Sequence, residues 1–182
     1  MSWLIFVTGK PGIGKTSVLL RAASRLKAEG YKIGGMISRE FRERGVRIGF
    51  ELVDFSTGRK GWLAHLNQPN GPRVGKYRVN LKNINTIGVE SILRAIEDAD
   101  LIIIDEIGPM ELLSSKFKEA VMNGLRSNKP VMGTIHYNAH DHLIDTIKAE
   151  ENAEILEVTV ENRECIHTIL VKKVLQYMQR RF

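Results

Sequence analysis

The chain holds a single cysteine, Cys165, in 182 residues. One thiol cannot close an internal disulfide or build a cysteine-based metal site. Its neighbours Ile166, Ile169 and Leu170 sit at helical spacing, which favours a packing role over a reactive one. Long apolar runs are also missing. No segment approaches the roughly 20 apolar residues that span a bilayer, and the run from Trp3 to Val7 is far shorter than a signal peptide and has no basic flank before it. No membrane partner is expected, and a cytoplasmic location is. Repeats and low-complexity tracts are absent, and no linker is long enough to split the chain. One domain over residues 1–182 is the reading, at a length typical of single domains.

The charge is lopsided, with 27 Lys and Arg against 21 Asp and Glu, a formal net of +6. A basic surface can attract nucleic acid or a polyanionic nucleotide. The cations are spread along the chain rather than gathered in one block, which favours solvated helix faces. Nucleic acid is not indicated beyond this charge, and a monomer is expected.

Short apolar strands alternate with helical patterns. Residues 3–8 read as a buried strand, 9–14 as a glycine-rich turn, and 17–28 as a helix ended by Gly30. Strands at 33–41 and 46–55, with a further short one at 60–66, suggest a small antiparallel excursion. Residues 67–79 read as a basic loop rich in Pro, Gly and Asn. A helix is expected over 87–99 from a start near Thr86. The wholly apolar run 101–104 has the signature of a strand buried on both faces. Then follow a helix at 110–123, a strand at 130–136, a helix at 140–149, a strand at 155–160 and a closing helix at 162–179. Alternation of this kind predicts an α/β fold, a mostly parallel central sheet with helices on both faces.

One stretch carries specific chemistry. Gly9-Lys10-Pro11-Gly12-Ile13-Gly14-Lys15-Thr16 fits the P-loop pattern without a mismatch, following a strand and opening a helix. Glycines let successive N–H groups point at phosphate oxygens. The helix start at Thr16 and Ser17 adds its positive dipole end. Lys15 supplies charge for the outer phosphates, and the Thr16 hydroxyl is a hard oxygen suited to Mg²⁺. The apolar run 101–104 ends in Asp105 and Glu106, delivered to the carboxyl edge of the sheet where ligands bind in open α/β folds. Asp105 is the expected Mg²⁺ partner. Glu106 can hold and polarise a water for in-line attack on a γ-phosphate. The plainer alternative makes the pair helix-capping acids. Thr134, near the end of its strand, could sense the γ-phosphate, as could His136; β-propensity and a surface imidazole are the alternatives. Arg39, Arg73 and Arg163 are candidates to meet phosphate charge, Arg73 from a loop that could close over it, each weighed against a salt-bridged surface role.

At this point the chain resembles the small P-loop nucleoside-triphosphatases of thermophilic bacteria and archaea, whose vertebrate relatives are called cancer-related nucleoside-triphosphatases. The likeness rests on the P-loop and on Gly34-Gly35-Met36-Ile37. It extends through Arg47-Ile48-Gly49-Phe50, Val53-Asp54, Gly71-Pro72-Arg73-Val74-Gly75-Lys76-Tyr77 and Gly133-Thr134-Ile135-His136. It ends in Val160-Glu161-Asn162-Arg163. Its most specific string is Asp105-Glu106-Ile107-Gly108-Pro109-Met110-Glu111-Leu112. The resemblance implies a three-layer, RecA-like fold of the ASCE class with the phosphate-loop strand central. It implies slow, Mg²⁺-dependent hydrolysis of several nucleoside triphosphates (ATP, GTP and others), with Asn162 and Arg163 near the base. Loose base selectivity agrees with the lack of an N-K-x-D string. Two rivals stay open: a small-molecule kinase, and a nucleotide-dependent switch or nucleic-acid-associated ATPase.

Overall fold

The computed structural model describes residues 3–180. Its nine strands form one sheet: β1 (Leu4–Thr8), β2 (Ile33–Glu43), β3 (Val46–Asp54), β4 (Lys60–His65), β5 (Arg73–Val74), β6 (Tyr77–Val79), β7 (Leu101–Ile107), β8 (Val131–Ile135) and β9 (Ala153–Glu157). The order across the sheet is β5-β6-β4-β3-β2-β7-β8-β1-β9. The five strands from β2 to β9 pair in parallel. From β2 outward every pairing is antiparallel. The excursion expected from the sequence is therefore present, and it continues the main sheet instead of forming a separate layer.

Helices cover both faces. On one face α1 (Lys15–Ala28) and α6 (Ile166–Gln179) pack Leu19, Leu26, Leu170 and Val174 against Ile5, Val7, Ile103 and Met132. On the other, α3 (Glu90–Asp98), α4 (Ser115–Arg126) and α5 (His142–Ala149) bring Ile92, Phe117 and Ile144 against Phe6, Ile102 and Ile104. Residues Leu101 to Ile104 alternate between these two clusters, and each is fully buried. Burying one such side chain contributes roughly 1.5–3 kcal/mol. This is why an unbroken apolar run marks the strand that carries Asp105. No helix among the described residues is long and apolar enough to cross a membrane.

Several expectations need correction. The phosphate-loop strand β1 has a parallel neighbour on each side but lies one strand from the edge; β8 is the middle of the five parallel strands. The loop expected at 67–79 contains the β5–β6 hairpin, held because Tyr77 and Val79 are buried in the core. The helix expected near Thr86 begins with α2 (Leu81–Asn83), where the Asn80 side chain accepts a hydrogen bond from the Asn83 N–H. It runs through a π-helical turn (Ile84–Val89) into α3. The helix expected at 110–123 is split. A 3-10 turn (Glu111–Leu113) precedes Ser114, whose hydroxyl accepts from the Phe117 N–H at 3.1 Å and starts α4. At the end of the chain, residues 162–165 form a turn before α6.

Candidate functional site

The site begins where β1 turns into α1. Gly9, Gly12 and Gly14 adopt φ of 153°, 77° and 107°, a region that L side chains rarely enter. Gly9 is doubly constrained, since a Cβ there would lie 2.7 Å from the Val158 carbonyl oxygen. The Ile13 N–H donates to Lys10 at 3.1 Å and closes the loop. Lys10, Pro11 and Gly12 are exposed at its crest, and Ser17 is exposed on the first turn of α1. Gly14 caps the helix with no side-chain acceptor. The first N–H groups of α1 are thus left to an anion.

Lys15 bends back over this loop. Its ammonium donates to the Gly9 carbonyl at 3.0 Å and lies 3.9 Å from Glu106 Oε2. The Lys15 side chain is 9% exposed and that of Glu106 24%. Burial raises the Glu106 carboxyl above its usual range, and the Lys15 charge partly opposes that. The Glu106 carboxylate therefore sits at the phosphate-loop lysine, reachable by solvent on one side.

Asp105, on β7, is held from two other strands and a helix start. The Thr16 hydroxyl donates to its Oδ2 at 2.9 Å, and the Thr134 hydroxyl to its Oδ1 at 2.5 Å. The Ser38 backbone adds a further bond. Burial nevertheless pushes the carboxyl up to about 6, with the Glu106 charge adding to the rise and the hydroxyl bonds opposing it. Strand order explains the convergence. β8 lies between β1 and β7, with Val7 beside Thr134, and Ser38 follows the stretch of β2 that pairs with β7. The peptide bond between Asp105 and Glu106 is cis.

The residues suit a magnesium ion. Thr16 and Asp105 place two hard oxygens in direct contact, the donor type that Mg²⁺ takes. Among the described residues no group of three His, Cys, Asp or Glu could hold a metal by itself. The remaining ligands would come from phosphate oxygens and water.

The other sequence candidates divide. Thr134 is fully buried with its hydroxyl on Asp105, so the structure aims it at the carboxylate rather than outward at a γ-phosphate. His136 follows β8. Its N–H donates to Ile107 and its Nδ1 accepts from Asn138, and burial, then the Lys15 charge, lowers its pKa. Arg39 is exposed, one residue beyond Ser38. Arg73 lies on β5, the edge farthest in strand order from β1, so it is not brought to the loop. The turn carrying Asn162 and Arg163 abuts the phosphate loop through Val158, whose N–H donates to the Thr8 carbonyl at 2.8 Å. Asn162 is committed to that turn: its Oδ1 accepts from the Thr159 N–H and its Nδ2 donates to the Glu157 carbonyl, both at 2.8 Å. Arg163 is exposed beside it.

Sequence reasoning missed Glu111. Its carboxyl is buried, with Oε2 at 3.3 Å from the Cβ position of Gly108 while Glu106 Oε1 lies 2.8 Å from the same point. Burial, then the charges of Glu106 and Asp105, raise it well above the usual carboxylate range. The signal was present in the string Gly108-Pro109-Met110-Glu111, but an acid at a helix start reads as a capping residue. The missed Ser38 acts through its backbone, which no side-chain pattern reports.

Comparison with known proteins gives the family and the fold. Residues 4–174 match the model of a family described as NTPase. The chain is 41% identical to nucleoside-triphosphatase THEP1 of Thermofilum pendens over 96% of each chain. It is 42% identical to nucleoside-triphosphatase THEP1 of Methanocaldococcus jannaschii, over 94% of this chain and 96% of that one. The crystal structure of THEP1 from Aquifex aeolicus superposes with a TM-score of 0.84 at 30% identity, covering 94% of this chain and 98% of that one. The solution structure of a human cancer-related nucleoside triphosphatase gives 0.80 at 31% identity, with 95% and 97% covered.

Proposed function

The chain belongs to the NTPase family and is a nucleoside-triphosphatase, and from that premise we propose that it hydrolyses several nucleoside triphosphates to diphosphate and phosphate with Mg²⁺, using Glu106 to position the attacking water. The observation that carries this reading is the Glu106 carboxylate at 3.9 Å from the Lys15 ammonium. It stands where a γ-phosphate held by Lys15 would meet a solvent molecule.

Each group then has one task. The loop N–H groups and the start of α1 bind the phosphate oxygens. Lys15 exchanges its bond to the Gly9 carbonyl for the outer phosphates. Thr16 and, through water, Asp105 would hold the magnesium, whose charge neutralises the phosphates. Thr134 and the Ser38 backbone fix Asp105. Glu106 accepts a hydrogen bond from water and orients it in line with the γ-phosphate. Its raised proton affinity suits it to take the proton that water loses. A carboxylate here could serve water or an acceptor hydroxyl, and the nucleoside-triphosphatase family of the chain favours water.

Loose base selectivity is supported by Asn162, whose amide is spent within its own turn. The exposed Arg163 stands beside it in that turn, and its guanidinium can stack on any base. Phosphate release from ATP, GTP, CTP and UTP, with Mg²⁺ and no acceptor, tests the reading. All four should give release above a Lys15→Ala control. No release above that control overturns hydrolysis, and a hundredfold preference for one base overturns the loose selectivity.

A further inference from the structure

The antiparallel half of the sheet carries a feature that the phosphate chemistry does not use. Residues 39–79 hold nine Lys and Arg against four Asp and Glu, a net of +5 in a chain whose total is +6. The excess that looked dispersed along the sequence is concentrated in this half of the sheet.

Directly opposed residues on neighbouring strands share a face. Phe41 opposes Gly49, Gly49 opposes His65, His65 opposes Arg78, and Arg78 opposes Arg73. These positions make one row across β2, β3, β4, β6 and β5. Beside it runs the row Arg39, Glu51, Trp62. Phe41 meets Trp62 edge-on at 5.1 Å, and Trp62 leans on His65 at 4.5 Å. Gly49 lets the rings gather, because a Cβ there would lie 2.9 Å from the His65 ring and 3.2 Å from that of Trp62. Phe50, Ala64 and Val79 point the other way, into the core with Ile84 and Ile87.

This face stays open: Phe41 is 38% exposed, Arg39 and Arg73 are exposed, and Trp62, His65 and Arg78 are half-buried. Of the acids nearby, Glu40 is matched by Arg42 and Arg47 and Glu51 by Lys60, while Glu43 lies out at the β2–β3 turn. No ion pair among the described residues ties Arg39, Arg44, Arg73, Lys76 or Arg78 to a carboxylate. Arg44 and Lys76 extend the cationic rim at the two hairpin turns.

We propose that this face binds a single-stranded polynucleotide, with bases stacked on Phe41 and Trp62 and phosphates held by the arginines and Lys76. Flat rings in an open sheet bordered by unmatched cations suit unpaired bases, which offer a stacking surface that a duplex hides. From β2 to β5 the row crosses four strand spacings, about 19 Å, enough for a few nucleotides. An acidic protein segment would use the cations but not the rings. β2 leads from Ser38 at Asp105 directly into this face, so the strand would emerge beside the nucleotide site.

Fluorescence anisotropy of the full chain tests this without nucleotide. The probes are labelled 12-mers of oligouridylate and oligothymidylate, the pair distinguishing RNA from DNA, and a duplex of equal length. At least one single strand should bind at 50 mM salt, at least tenfold tighter than the duplex. With about four phosphates neutralised, affinity should fall about 50-fold between 50 and 200 mM salt. Phe41→Ala should weaken binding about tenfold, and Lys76→Glu with Arg78→Glu should weaken it further. Lys27→Glu with Lys172→Glu, on the helical side, should leave it unchanged. No binding at 50 mM salt overturns the proposal. So does equal binding of duplex, or displacement by polyglutamate as readily as by unlabelled strand, which would indicate an acidic protein partner. Indifference to Phe41→Ala, with circular dichroism showing the variant folded, overturns the stacking surface itself.

Discussion

Replacing Thr134 by valine tests how Asp105 is held. The two side chains are nearly isosteric, so the change removes one hydroxyl and leaves the packing. That hydroxyl donates to Asp105 Oδ1 at 2.5 Å, and both residues are fully buried. A hydrogen bond to a buried charged acceptor contributes about 1.5–3 kcal/mol. In a protein of this size, 1 kcal/mol moves the melting temperature by roughly 2–4 °C, so Thr134→Val should lower it by about 3–12 °C at pH 8. The sign with pH follows from the proton. The Thr134 bond lowers the Asp105 pKa, and its loss raises that pKa further above about 6. The deficit is therefore largest above pH 6, where Asp105 is ionised, and shrinks toward pH 5, where the protonated acid no longer needs the donor. Scanning calorimetry of both proteins at pH 5 and pH 8, without nucleotide or metal, measures it. A melting temperature unchanged at pH 8, or an equal loss at both values, refutes this account of Asp105.

Other consequences follow from the same geometry. Asp105 alone should make the nucleotide-free protein about 2.5 kcal/mol less stable at pH 8 than at pH 4, because its folded pKa stands at about 6 against 3.8, each unit is worth 1.36 kcal/mol, and roughly half a kcal/mol is already lost at pH 4. A raised carboxyl pKa leaves stability intact below the unfolded value and subtracts from it as pH rises through the folded one. Urea titrations across that range should show the decline after subtraction of an Asp105→Asn baseline, and parallel curves would contradict it. Gly9→Ala should weaken triphosphate binding at least tenfold, since its Cβ meets the Val158 carbonyl at 2.7 Å at a φ of 153°; calorimetric titration decides. Arg73→Ala should leave phosphate release unchanged, because Arg73 lies on β5, the sheet edge farthest in strand order from the phosphate-loop strand.

Much of this was legible in the sequence, for identifiable reasons. The apolar run ending in Asp105 announced β7 because a strand buried on both faces cannot alternate. The phosphate loop announced itself because its glycines serve backbone geometry. What escaped depended on contacts distant in sequence. The β5–β6 hairpin is two and three residues long and survives because Tyr77 and Val79 reach the core, not through its own propensity. Glu111 looks like a capping acid until the 3-10 turn packs it beside Gly108 and Glu106. The place of β1 near the sheet edge is a matter of strand order, which no local pattern encodes. The charge excess over residues 39–79 became a surface only once the pairings placed Arg73, Arg78 and Phe41 in one row.

The central claim is that Glu106 positions the attacking water while Lys15 and the loop hold the nucleotide. Glu106→Gln separates these roles, because it keeps the size and polarity of the side chain and removes only its capacity as a base. Nucleotide affinity by calorimetric titration and phosphate release by a coupled assay should be measured on the same preparation. The account predicts affinity within about threefold of the parent and turnover reduced at least a hundredfold, the span of general-base effects. Turnover at the parent rate with unchanged affinity would contradict it.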